Sequence, residues 1–228
     1  MTTRKRGTQN KTMLEEMAAF FERRLEDYDE HMRNDIVGAR EFYPLTASLL
    51  PPTDAASVLD LGCGTGLELE EYFRLNPTAR VTAIDLSEKM LAALKKKLPR
   101  YHLSLLCGSY FDLPLDRARF DAAVSVESLH HFTAEEKRPL YEKVYAALKG
   151  NGYFILTDYF APSDTEERLY RDTLARLKRE EGAPDGRLYH YDTPLTVAHE
   201  TEALLAAGFA AVEEVAVFEN THVLRATK

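Results

Sequence analysis

A short run in the first half of the chain has the composition of a ligand-binding loop. Residues 58–66 have the sequence Val-Leu-Asp-Leu-Gly-Cys-Gly-Thr-Gly, an apolar strand that leads into three alternating glycines. Glycine lacks a Cβ and permits positive φ, so backbone N–H groups there can approach a ligand closely. A strand, a glycine loop and a helix in this order place the ligand at the start of the helix. The run therefore predicts a site for a nucleotide-like cofactor.

Two carboxylates narrow the choice of cofactor. Asp85 ends the next apolar run, at the place where an acidic residue of a βαβ unit accepts hydrogen bonds from a ribose diol. A dinucleotide fingerprint would need its third glycine at position 67, which is leucine. Asp60 precedes the first glycine and is placed to receive a positively charged amino group, which S-adenosylmethionine carries and NAD lacks. The pattern favours S-adenosylmethionine.

With these features the chain resembles the class I S-adenosylmethionine-dependent methyltransferases. The matching segments are residues 58–66, 81–90, 108–114 and 120–132. The resemblance implies a cofactor site made of Tyr28, Asp60, Gly62, Cys63, Gly64, Gly66, Asp85, Leu86, Met90, Ser109, Tyr110, Phe111 and Val126. Ser109 departs from the acidic residue that often meets the adenine amine in this family. The alternative interpretation of Tyr28 is a tyrosine that only packs the N-terminal helix against its neighbours.

The residues after the fourth predicted strand are candidates for the chemistry of methyl transfer. A sulfonium is an activated leaving group, so a general base is needed only where the nucleophile must lose a proton. Histidine suits that role because its pKa lies near neutrality. We name His131, His130 and Glu127 as candidates, with His131 favoured between the two histidines. Tyr159 and His190 are further candidates, and packing is the competing role for one histidine.

A metal site is not expected. Adjacent histidines on a regular element do not normally point to one ion, and the chain has no His-x₃-His or Cys-x₂-Cys spacing. The amino-group DNA methyltransferase motif is also missing after the fourth strand, where the sequence is Val-Glu-Ser-Leu.

Alternating strand and helix patterns predict the fold. We expect an α/β, three-layer Rossmann-like fold with a mostly parallel seven-stranded sheet and an antiparallel C-terminal hairpin. The predicted strands are 57–61, 80–85, 102–107, 120–126, 152–158, 212–218 and 221–226. The predicted helices are 12–31, 39–50, 66–75, 87–97, 134–148, 166–181 and 195–208. Ser87 is expected to cap one helix, Thr133 and Glu136 to form a capping box, and Gly150 to end a helix.

The chain divides into two parts by this interpretation. Residues 1–50 are expected to form N-terminal helices that close over the cofactor site, and residues 51–228 the methyltransferase domain. The segment 160–194 interrupts the alternation with a highly charged helix, a turn at 182–186 and a Tyr-His-Tyr run. We interpret it as a lid or substrate-recognition element; a charged surface helix with a loop is the alternative.

Composition limits the partners. The chain has 228 residues, a net charge of −8 and two cysteines. It lacks a long apolar run and has a polar, basic start, which predicts a cytoplasmic protein with neither a membrane span nor a secretory signal. A nucleic-acid substrate usually demands a basic face. The basic clusters at 4–6 and 95–97 are expected to be a disordered tail and a solvated helix face.

The sequence thus predicts a methyltransferase that acts on a small, neutral or hydrophobic metabolite as a monomer or homodimer. Two alternatives remain: a methyltransferase acting on RNA or protein, and a non-catalytic S-adenosylmethionine-binding protein. A nicotinamide-dependent oxidoreductase is disfavoured by Leu67.

Overall fold

Helices and strands alternate along most of the chain, as the sequence predicts. The computed structural model describes residues 14–184 and 186–228. The strands are β1 (Ser57–Leu61), β2 (Arg80–Asp85), β3 (His102–Cys107), β4 (Phe120–Val126), β5 (Leu148–Tyr159), β6 (Ala211–Phe218) and β7 (Thr221–Thr227). The helices are α1 (Met17–Arg23), α2 (Tyr28–Asn34), α3 (Ala39–Ser48), α4 (Leu67–Leu75), α5 (Glu88–Lys97), α6 (Ala134–Ala147), α7 (Asp164–Glu181) and α8 (Val197–Ala206).

The seven strands form one sheet in the order β3-β2-β1-β4-β5-β7-β6. Neighbours among the first five strands run parallel, and β7 runs antiparallel to both β5 and β6. The predicted fold class is therefore confirmed. The chain crosses from one half of the sheet to the other between β3 and β4, so the strand order reverses where β1 and β4 lie side by side. In such sheets ligands bind beyond the carboxyl ends of the strands at this switch point.

The strand β1 shows why the sheet is covered on both faces. Its alternate residues belong to different apolar clusters: Leu59 and Leu61 pack in the cluster that contains Tyr141 of α6. Val58 packs in the other cluster, with Phe73 of α4. A strand buried on both faces has a nearly continuous apolar sequence, as this one has. Helices on both faces complete the three layers.

The predicted single helix over residues 12–31 is wrong. Residues 12 and 13 lie outside the described part, and the rest forms α1 and α2 separated by a turn. The turn directs Asp29 onto the body of the domain, where its carboxylate contacts Thr65 and Lys97. Arg33 likewise donates to Glu70 of α4 over 2.6 Å. These tertiary contacts select a turn that the apolar spacing alone does not indicate.

Lys97 also corrects the expectation for the basic cluster at 95–97. Lys95 and Lys96 are exposed as predicted, whereas Lys97 is half-buried in its ion pair with Asp29. The other basic cluster, at 4–6, lies outside the described residues.

Helix ends follow the predicted caps in two of three places. The Ser87 hydroxyl accepts from the Met90 N–H at 3.2 Å, and Thr133 with Glu136 forms the capping box. Gly150 does not end α6. The helix stops at Ala147 because Leu148 takes extended dihedrals and pairs with Phe120 of β4. Strand pairing therefore begins before the glycine is reached.

The segment after β5 contains α7, whose side chains are all at least partly exposed. Within the described part of the chain, every helix is too short or too polar to cross a bilayer.

Candidate functional site

The loop between β1 and α4 has the geometry that its glycines predict. Gly62, Gly64 and Gly66 all have positive φ, at 76°, 50° and 75°. A Cβ on Gly62 would lie 2.7 Å from the Ser128 Cβ, too close for any real contact. The N–H of Gly62 donates to the Ile84 carbonyl at 2.8 Å, which ties the loop to β2. The glycines thus make a cradle that side chains would fill.

Asp85 holds the other side of this cradle. One carboxylate oxygen accepts from the Gly64 N–H at 2.9 Å, and the other accepts from the Ser87 N–H at 2.8 Å. Burial raises the pKa of Asp85, while these two hydrogen bonds act to lower it. A carboxylate offers about four lone-pair sites, so it retains capacity for further hydroxyl donors.

Asp60 is a buried carboxyl group that lacks a polar partner among the described residues. Its side chain is 1% exposed, and neither carboxylate oxygen has a hydrogen-bond partner among the residues described. Burial and the adjacent Glu68 raise its pKa well above the usual range. Buried unsatisfied carboxylates are costly, so a cationic group brought near Asp60 would be stabilised. The cradle and this carboxylate fit a cofactor with an amino group and a ribose.

A small cavity of about 40 Å³ lies in front of the glycine loop. The predicted residues that line it are Tyr28, Gly62, Gly64, Asp85, Leu86, Met90, Tyr110, Glu127 and His131. The predicted residues that do not line it are Asp60, Cys63, Gly66, Ser109, Phe111, Val126 and His130. Met17, Ala18, Phe21, Ser87 and Ser128 also line it. Sequence reasoning did not place these five in the site: Met17, Ala18 and Phe21 come from α1 and Ser128 follows β4, so only the fold brings them to the loop, whereas Ser87 directly follows the predicted Leu86.

The turn at 109–111 is held by its own serine and by a lysine of α6, which the sequence does not indicate. The Ser109 hydroxyl accepts from the Phe111 N–H at 3.2 Å, so the serine shapes the turn. Lys143 of α6 donates to the carbonyl oxygens of Tyr110, Phe111 and Leu113 at 2.5, 2.8 and 2.9 Å. A lysine in a charged helix gives no sequence signal of such a role. It fixes the position of Tyr110, whose ring lines the small cavity.

Glu127 follows β4 in a strained conformation. Its φ is +49°, a value that residues with a Cβ rarely adopt. Its Oε1 accepts from the Thr221 hydroxyl at 3.1 Å. Burial raises the pKa of Glu127 to about 7, with His130 opposing the shift. Strain of this kind is concentrated at functional sites, where surrounding contacts enforce it.

The two histidines after Glu127 have different charge states. His130 Nδ1 lies 2.5 Å from the Asp158 carboxylate, and this partner overcomes burial to raise the pKa of His130 to about 9. Burial and the neighbouring His130 lower the pKa of His131 below its ordinary value. At neutral pH the first is a cation and the second is neutral. A neutral imidazole is the form that takes a proton.

A second cavity, of about 1,170 Å³, lies beside the first. The residues that line both are Phe21, Tyr28, Glu127 and His131. Further lining residues include His130, Tyr159, His190 and Asp192, which add titratable groups to walls that also carry apolar side chains such as Phe20 and Phe218. His190 and Asp192 come from the segment 160–194, which therefore contributes to the site. The two cavities therefore meet at the four shared residues.

The N-terminal residues and the segment 160–194 touch each other across the cavity. The Met17 N–H donates to the Leu188 carbonyl at 3.0 Å, and the His190 N–H donates to the Glu15 carbonyl at 2.9 Å. The His190 ring stacks on Phe20 with ring centres 3.4 Å apart. We call these two joined segments the cover; Phe20 and His190, one from each, line the larger cavity.

Comparison with known proteins matches residues 58–152 to a family model described as a methyltransferase domain. A malonyl-[acyl-carrier protein] O-methyltransferase of Bacillus cytotoxicus is 28% identical over 75% of this chain and 57% of its own length. A second malonyl-[acyl-carrier protein] O-methyltransferase, from Priestia megaterium, is 30% identical over 45% of this chain and 36% of its own length, so the match spans less than two thirds of either relative.

Solved structures agree on the fold. An S-adenosylmethionine-dependent methyltransferase from Mesorhizobium loti is similar with a TM-score of 0.60 and 23% identity, over 81% of this chain and 96% of that one. Human N-acetylserotonin methyltransferase in complex with S-adenosylmethionine gives a TM-score of 0.61 and 20% identity, over 92% of this chain and 55% of that one. At these identities the likeness establishes the fold.

Proposed function

We propose that this chain is a class I S-adenosylmethionine-dependent methyltransferase that moves a methyl group from S-adenosylmethionine to a small-molecule acceptor. The observation that carries the proposal is the meeting of two cavities at Glu127 and His131. Methyl transfer requires the nucleophile in line with the sulfur and the methyl group, and such alignment can contribute about 7–11 kcal/mol. The shared wall is where the two reactants would meet.

Different residues of the chain would bind different parts of the cofactor. Backbone N–H groups of the glycine loop and the Asp60 carboxylate would receive its amino-acid end. Asp85 would accept from the ribose hydroxyls, and Leu86 with Met90 would pack on the adenine. The cofactor supplies an activated methyl group on a sulfonium.

The small volume of the first cavity supports a closing role for residues 1–50. Ligand sites usually measure about 300–1,000 Å³, far more than the 40 Å³ found here. Phe21 and Tyr28 of the N-terminal helices lie in front of the loop. We infer that these helices move outward to admit the cofactor and then close over it.

The second cavity combines apolar rings, Phe20 and Phe21 among them, with titratable side chains, which suits the small, neutral or hydrophobic acceptor expected from sequence if it carries one reactive polar group. Its walls carry Glu127, His130 and Asp192. His131 would take the proton of the acceptor nucleophile, a step that typically contributes about 10²–10⁴-fold. The names of the relatives, which act on malonyl-[acyl-carrier protein] and N-acetylserotonin, support a small acceptor group. The net charge of −8 disfavours RNA.

Calorimetry followed by methyl transfer tests the proposal. We expect S-adenosylmethionine to bind and NAD not to bind. We then expect tritium from labelled methyl groups to reach small hydroxyl, carboxyl or amine acceptors in a panel. Transfer only to RNA or to protein would mean that the acceptor is a macromolecule and not a small molecule. Binding without transfer to any acceptor would favour the non-catalytic alternative, and preferential binding of NAD would overturn the cofactor.

Asp85→Ala is expected to weaken S-adenosylmethionine binding by about 10- to 100-fold. The expected loss corresponds to one hydrogen bond to a charged group, about 1.5–3 kcal/mol, here a ribose bond; loss of the tie to Gly64 acts mainly on the shape of the free loop. Calorimetric titration measures the change. Asp116→Ala is the matched control, because that carboxylate is exposed and pairs with Arg119. Unchanged affinity in Asp85→Ala would remove β2 from the cofactor site.

A further inference from the structure

His131 has a defined hydrogen-bonding partner for one ring nitrogen. Its Nδ1 lies 3.3 Å from the Tyr191 carbonyl oxygen and 3.2 Å from the Asp192 carboxylate. A carbonyl and a carboxylate only accept hydrogen bonds, so the proton must be on Nδ1. In the neutral imidazole the lone pair is then on Nε2. The residue that carries this lone pair lines both cavities.

We propose that Asp192 is a positioning residue that orients His131 and fixes its Nδ1–H tautomer, so that Nε2 can take the proton of the methyl acceptor. The inference rests on the proposed function and assigns a role to the segment 160–194 within it. In hydrolases a carboxylate of this kind holds a histidine base in the required tautomer and stabilises the imidazolium that forms. Asp192 stands in the same relation to His131.

The surroundings keep Asp192 in its accepting form. His130 Nε2 lies 3.6 Å from the Asp192 carboxylate, and the other nitrogen of that ring is held by Asp158 of β5. Hydrogen bonding to His131 and the charge of His130 hold the pKa of Asp192 well below its usual range, against the effect of burial. The carboxylate is therefore ionised at the pH where a histidine base works.

The charged groups around His131 act on it in opposite directions. Asp192, through its hydrogen bond and charge, and Asp158 of β5 both raise the pKa of His131. Burial and the His130 cation lower it. His190, which also belongs to the segment 160–194, has its ring centre 4.8 Å from that of His131 and is itself uncharged at neutral pH, since burial lowers its pKa to about 4. Removal of Asp192 therefore lowers the pKa of His131.

Asp192 belongs to the cover, so the tautomer of His131 depends on where the cover lies. Tyr191 and Asp192 directly follow His190, which stacks on Phe20 and bonds to the Glu15 carbonyl. When this segment lies over the site, the acceptors of the Nδ1 proton are in place. When it is displaced, His131 loses both acceptors. The base is therefore set in its reactive tautomer only beneath the closed cover.

Substitutions of Asp192 separate this role from a structural one. Asp192→Ala is expected to lower kcat by about 10- to 100-fold, less than in a fully buried triad, with little change in the affinity for S-adenosylmethionine. The acidic limb of kcat/KM should move to lower pH, because the base must be neutral and its pKa falls. Asp192→Asn keeps an acceptor oxygen without the charge, so the limb should shift less than in Asp192→Ala and kcat should also fall less. Asp172→Asn, an exposed change in the same segment, is the control.

Nitrogen-15 spectra of the histidine rings provide a readout that does not need methyl transfer. The wild-type His131 should show a protonated Nδ1 and a bare Nε2 at neutral pH. In Asp192→Ala only the Tyr191 carbonyl still accepts from Nδ1, so part of the population should move to the Nε2–H tautomer. A wild-type ring protonated on Nε2, or an unchanged tautomer and kcat in Asp192→Ala, overturns the inference. A tautomer shift in a chain that methylates no acceptor would sink the proposed function and leave the positioning role standing.

Discussion

Glu200→Ala is expected to lower the free energy of unfolding by about 3–5 kcal/mol, the usual cost of removing one partner of a buried ion pair. Glu200 of α8 and Lys137 of α6 are each 1% exposed, with Nζ and Oε2 2.5 Å apart. The Tyr141 hydroxyl donates to the second carboxylate oxygen. Truncation would leave an ammonium and a phenol buried without an acceptor. Urea denaturation followed by circular dichroism measures the loss.

Two variants show whether the charge or the loss of packing causes the effect. Glu202→Ala changes an exposed residue of the same helix and should stay within about 0.5 kcal/mol of wild type. A triple variant, Lys137→Met, Tyr141→Phe and Glu200→Met, replaces the whole network by apolar groups and should recover most of the stability. A loss below about 1 kcal/mol in Glu200→Ala would mean that water reaches the pair.

The sheet was predictable because its information is local. Each parallel strand is a short apolar run, and the glycine loop with Asp85 marks which strands lie at the centre. The errors have tertiary causes. Residues 24–27 turn because Asp29 and Arg33 meet α4 and α5, and Leu148 leaves α6 because Phe120 is there to pair with it. The local sequence pattern does not indicate which distant residues these segments contact.

Only the part of the candidate site that lies in local sequence motifs was predictable. The glycine loop and Asp85 are motif residues, and the structure brings them together with Tyr28 and Met90 around one cavity. The partners of the histidines and of Glu127 come from elsewhere in the chain. Asp158 lies 28 residues after His130, and Thr221 lies 94 residues after Glu127. Only the fold makes them neighbours, so the electrostatics that distinguish the two histidines could not be read from the sequence.

The stability of the chain should depend on pH through His130. Its pKa is raised from 6.5 to about 9 in the folded state, so its pairing with Asp158 stabilises the fold fully below about pH 6.5. That contribution is lost as pH rises through 9. His130→Ala should remove this dependence and also leave Asp158 buried without its partner. His102→Ala, on the exposed edge of β3, is the control and should retain the wild-type profile.

His131→Ala is expected to lower kcat by about 10²-fold or more, because it removes the base that we assign to the acceptor proton. The affinity for S-adenosylmethionine should change little, since the glycine loop and Asp85 remain. Stability should also change less than in His130→Ala, because the Nδ1 proton of His131 has only a half-exposed carboxylate and a carbonyl as partners. Single-turnover kinetics and calorimetry separate the two effects.

The pH profile of the wild-type chain decides between the two histidines. A base must be neutral to act, so kcat/KM rises with pH through the pKa of the base. If His131 takes the proton, the midpoint of the rise should lie below pH 6.5, because burial and the His130 cation lower the pKa of His131. If His130 takes it, the rise should continue toward pH 9, where Asp158 places its pKa. A late rise together with an active His131→Ala variant would transfer the role to His130 and leave His131 as a packing residue.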